Sequence, residues 1–77
     1  MTKANMKEKA KTKIENRINS MGNALDLTCL EMYDSSVAAM IRLTWQLELI
    51  TKQERDELEI KAMDRYFEVK KRLEKVA

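Results

Sequence analysis

Ile50-Thr51-Lys52-Gln53-Glu54, running on through Arg55 to about Val76, carries the chain's strongest helix-start signal and its longest helical pattern. Thr51 and Glu54 stand three apart and fit a capping box. In that motif the Thr hydroxyl accepts from a backbone N–H of the first turn, and the Glu carboxylate reaches back to the Thr N–H. Glu54, Asp56 and Glu57 then fill the first turns, and Lys70, Lys71, Arg72 and Lys75 fill the last. Both placements match the sign of the helix dipole. No Gly or Pro interrupts the segment, so one long helix is predicted from residue 52 to 76.

Its apolar residues form two groups. Leu58, Ala62, Tyr66, Val69, Leu73 and Val76 follow at spacings of 4, 4, 3, 4 and 3, close to the alternation of a coiled-coil seam. Ile60, Met63 and Phe67 fall on a roughly opposite face at about 100° per residue. A helix packed on one core needs one stripe. The second stripe predicts burial between two layers or an intermolecular contact.

Working back from Thr51, residues 36–50 predict a central helix, and the corner at Ile50-Thr51 folds it against 52–76 as an antiparallel hairpin. Val37, Ala38, Ala39, Met40, Ile41, Leu43, Trp45, Leu47, Leu49 and Ile50 cover most of its circumference. A helix apolar nearly all round is expected to be buried on most sides, and two other helices of this chain can hardly cover it. Asp34, Ser35 and Ser36 are N-cap residue types directly before the apolar run, so they mark a start or a bend. Residues 24–33 are ambiguous, helical or irregular.

Further back, Met6, Ala10, Ile14, Ile18 and Met21 repeat at helical spacing and predict an N-terminal helix over residues 1–21. Its first members are weak, and residues 1–8 are expected to fray. Gly22-Asn23 is the one strong punctuation and predicts a break or kink, since a glycine there can end a helix in the left-handed conformation; the alternative is one long helix over about 3–33 that tolerates Gly22 at a cost of about 1 kcal/mol. The expectation is an all-α single domain: a basic N-terminal helix and a core over 24–76, completed as a bundle by self-association.

The 77 residues contain one Gly and no Pro, which excludes a β-sandwich or barrel with its many sharp corners. A chain this short buries only about 60% of its unfolded surface, and oligomerisation is a common remedy. The only cysteine, Cys29, has no partner for an internal disulfide. A reducing, cytosolic setting is therefore expected. The longest apolar run, Val37 to Ile41, is far too short to span a bilayer.

Charge is unevenly placed. Residues 1–17 carry six Lys and Arg against Glu8 and Glu15, residues 18–63 carry four basic and eight acidic side chains, and residues 64–77 carry five and three. Basic ends flank an acidic middle, a pattern that bears on partners.

Chemistry is sparsely supported. With no histidine, the usual general base and metal ligand is missing. Cys29 lies among apolar neighbours, as a structural thiol does. Glu54, Asp56, Glu57 and Glu59 lack the turn and ligand order of a calcium loop and sit where a helix start favours acids. No enzyme activity, cofactor, metal or small-molecule substrate is expected.

Binding is what remains. The candidate interface residues are Ile60, Met63 and Phe67, with Trp45 and Leu49 on an exposed remainder of the central helix. The expected partner is another protein or a second copy of the chain, in the role of regulator, inhibitor or adaptor. Its scale suits the stoichiometric accessory proteins of phages and plasmids, by analogy only. An alternative is a nucleic-acid-binding dimer that sets Lys3, Lys7, Lys11, Lys13 and Arg17 on phosphates. Against it, no aromatic residue is interleaved for base stacking, and the pI near 8.8 falls short of the usual basic footprint. A third reading is an assembly subunit. Membrane binding is not expected, because no Trp, Phe or Leu occupies the apolar face of residues 1–21.

Overall fold

A computed structural model describes residues 2–76, with side chains through Lys75. Three helices follow one another: α1 (Lys3–Ser20), α2 (Leu27–Gln46) and α3 (Lys52–Val76), with a 3-10 turn at Met21–Asn23 closing α1. They pack as an up-down-up bundle in which α2 and α3 form the hairpin and α1 runs alongside α3 in the same direction. The core draws on all three: Ile14 and Ile18 from α1, Met21 and Ala24 from the turn, Leu30, Val37 and Ile41 from α2, and Leu58, Ala62 and Val69 from α3.

The predicted seam of α3 is the observed one. Leu58, Ala62 and Val69 are buried, and Tyr66 and Leu73 pack partly buried against them; Val76 lies outside the described side chains. The capping box forms at the predicted residues. The Glu54 N–H donates to Thr51 Oγ1 at 3.1 Å, and the Thr51 N–H donates to Glu54 Oε1 at 2.9 Å.

Helix α2 begins earlier than expected. Its N-cap is Asp26, whose Oδ1 accepts the Cys29 N–H at 2.8 Å. Asp34, Ser35 and Ser36 therefore lie inside the helix, and the expected start or bend near residue 36 is corrected. Cap-type residues cost a helix interior only a few tenths of a kcal/mol each, which the burial of Leu30 and Val37 on either side outweighs.

The corner also moves. α2 ends at Gln46, and residues 47–51 make the turn. The Leu49 N–H donates to the Thr44 carbonyl at 3.2 Å and the Glu48 N–H to that of Trp45 at 2.9 Å. This is the double bond of a Schellman motif. Its left-handed residue is Glu48 (φ 59°), a position where a side chain is strained.

Gly22 does end α1, but not by the expected route, since no glycine has a positive φ. The Arg65 guanidinium lies over Gly22, where a Cβ would push it aside, and donates to the Asn19 carbonyl at 3.4 Å. Arg72 donates to the Gly22 carbonyl at 2.9 Å. Two arginines of α3 thus add donors to carbonyls at and just past the end of α1 and place positive charge at the negative pole of its dipole.

Candidate functional site

The off-seam trio of α3 stands in solvent. Ile60, Met63 and Phe67 are 58%, 56% and 55% exposed. The Phe67 ring meets the edge of the Tyr66 ring at 5.4 Å, so its near side is held and its far side is free. Beside the trio an open groove of about 380 Å³ runs between α2 and α3. Its floor is Val37, Ile41 and Ala62, its walls are Ala38, Tyr66, Met63 and Phe67, and Asp34 and Glu59 stand at its rim. α1 packs on the other flank of the hairpin and leaves this side uncovered.

Trp45 and Leu49, expected on an exposed remainder of α2, are half-buried. Trp45 packs against the core, and the Arg55 guanidinium lies 4.7 Å above its ring, a cation–π contact. Leu49 sits beside Lys3, Ala4 and Lys7 of α1. The exposed apolar residues are instead Leu27, Met32 and Leu43 of α2, at 42%, 69% and 57%, and Leu47 just past its end, at 58%. An apolar run with no clear polar side gives no means of telling which members the corner will cover. Within the expected central helix 36–50, Leu43 and Leu47 are the large apolar residues left uncovered.

The five candidate phosphate-contact residues, among six basic residues of α1, divide. Lys7 Nζ lies 2.7 Å from Glu54 Oε1, and Lys11 Nζ 3.3 Å from Glu54 Oε2. Lys3, Lys13 and Arg17 make no ion pair among the described residues. Glu54 is therefore a junction: it completes the capping box and joins α3 to the first turns of α1. Its carboxyl is lowered from 4.5 to about 2, first by the hydrogen bond from Lys7, then by that from the Thr51 N–H. Hydrogen bonds of this kind favour the charged form.

The remaining acids of the first turns are dispersed. Asp56 and Glu59 lie 3.3 and 3.6 Å from the Arg55 guanidinium, and Glu57 accepts from Gln53. Among the described residues no group of three or more His, Cys, Asp or Glu side chains could hold a metal ion, and no helix is long and apolar enough to cross a membrane. Cys29 is half-buried and unpaired. No family model matches the chain, and no curated protein or solved structure does either.

Proposed function

We propose that this chain is a non-enzymatic protein-binding regulator, inhibitor or adaptor that acts by stoichiometric association through the outer side of α3. The observation that carries the reading is the trio Ile60, Met63 and Phe67, each more than half exposed, with Met63 and Phe67 lining an apolar-floored groove. Aromatic residues and methionine are enriched at the centres of protein interfaces, and a ring held on one side and free on the other is shaped as an anchor. The nucleic-acid reading has less support, because two of its five basic residues are already engaged by Glu54.

The test is capture of a partner by the tagged chain from extracts of its source cells, run beside Phe67→Asp and Met63→Glu. A partner retained by the wild type and released by both variants, with helical circular dichroism unchanged, supports the reading. A partner retained equally by all three overturns it.

A further inference from the structure

The outer side of α3 is more than an apolar patch. Asp56, Ile60, Met63, Phe67 and Lys71 follow at spacings of 4, 3, 4 and 4, so they form one continuous row on the helix surface. The row spans about 22 Å at the helical rise of 1.5 Å per residue. It is acidic at its N-terminal end, apolar in the middle and basic at its C-terminal end. The two charged ends are accessible. The Asp56 side chain is 49% exposed despite its contact with Arg55, and Lys71 is exposed with no ion-pair partner among the described residues.

This order is complementary to itself read backwards. Place a two-fold axis opposite the point midway between Met63 and Asp64. A second α3 laid antiparallel then sets Asp56 against Lys71, Ile60 against Phe67, and Met63 beside its own copy. Every charged position meets the opposite sign and every apolar position meets an apolar one. A two-fold interface requires this of a surface, since one patch must serve as both halves. The parallel arrangement would place Asp56 against Asp56 and Lys71 against Lys71, which is repulsive.

We infer that the occupant of this face is a second copy of the chain, joined as a two-fold dimer by antiparallel pairing of α3 with Asp56–Lys71 contacts at each end. The inference rests on the protein-binding reading above and names the partner. The contact is a single helix row with the flanking groove wall, so the dimer belongs to the small end of specific interfaces and exchanges with monomer.

Sedimentation equilibrium on the full chain tests it, over about 1 to 500 µM, a range suited to such small interfaces. The mass should rise from 9.1 kDa toward twice that value. Phe67→Asp and Met63→Glu should hold it at the monomer while keeping the helical signal. Asp56→Lys and Lys71→Glu, each alone, should weaken dimerisation by about tenfold or more, because each sets like charges at both ends. An equimolar mixture of these two variants should dimerise again, since every end contact in the mixed pair is attractive.

A wild type that stays at 9.1 kDa throughout overturns the second-copy inference, while the protein-binding reading stands if Phe67→Asp still releases a captured partner. A dimer that ignores Phe67→Asp overturns both. A dimer that needs Phe67 but is unmoved by either charge reversal overturns the antiparallel register.

Discussion

On the flank of α3 that meets α1, polar ties recur along the helix. Glu54 holds Lys7 and Lys11, Lys61 lies 3.7 Å from Glu15, and Arg65 and Arg72 reach the carbonyls of Asn19 and Gly22. On the flank away from α1, the same helix carries Ile60, Met63 and Phe67, each more than half exposed. The difference follows from what each neighbour brings. α1 has a narrow stripe whose buried members are Ile14 and Ile18, so its long charged faces come to lie along α3 and are matched by charge. Such ties are screened by solvent and contribute little individually, so they set the alignment of α1 while the buried residues hold it. The open flank has apolar area but no neighbour. Its side chains do little for the stability of the single chain, and can be changed at little cost to it.

Substitutions on the two flanks should therefore behave differently. The largest effect is expected on the covered side. Ile14, fully buried, should cost about 2–5 kcal/mol as Ile14→Ala through lost transfer energy and the cavity left behind, measured by urea unfolding. Met63→Ala on the open side should stay within about 0.5 kcal/mol. Equal losses at the two positions would mean that the open flank is not open.

Next comes the junction at Glu54. Its carboxyl titrates near 2 in the folded chain against 4.5 as the reference value. A carboxylate with a lowered folded value stabilises the fold above its unfolded value and loses that contribution as pH falls toward the folded one. The melting temperature should therefore fall as pH drops from about 4.5 to about 2. Glu54→Gln should start lower at neutral pH and show a shallower fall across that window. A variant with the wild-type pH profile would show that the tie between α1 and α3 does not depend on this charge.

The smallest change tests the hinge between the flanks. Glu48 occupies the left-handed position of the corner, so Glu48→Gly should stabilise the chain by about 0.5–1 kcal/mol in thermal unfolding, because glycine meets no Cβ strain there. Destabilisation would mean that the Glu48 side chain makes a contribution larger than its strain.

The parts of the fold legible in the sequence are those set by residues close together. Thr51 and Glu54 gave the start of α3, and the alternation from Leu58 to Leu73 gave its buried side. Ile60, Met63 and Phe67 were legible as a separate face because they fall off that alternation. Three things were not legible. Asp34-Ser35-Ser36 imitates a helix start, and only the burial of Leu30 ahead of it and Val37 behind it carries the helix through. Trp45 looks like a free aromatic until Arg55, brought round by the corner, covers it. Glu54 looks like an ordinary cap residue, because Lys7 and Lys11 are distant in the chain and near only in the fold.

The carbonyls at the end of α1 have one further consequence, for the order in which the molecule is completed. Their donors, Arg65 and Arg72, stand 46 and 50 positions later in the chain. A chain emerging from its N-terminus would have made α1, the turn after it and α2 well before either arginine existed. Contacts of such long sequence separation close late and slow the search for the native state. The boundary of the first helix is thus drawn locally, by the turn at Met21–Asn23, and is fastened to the last helix only when the closing segment arrives.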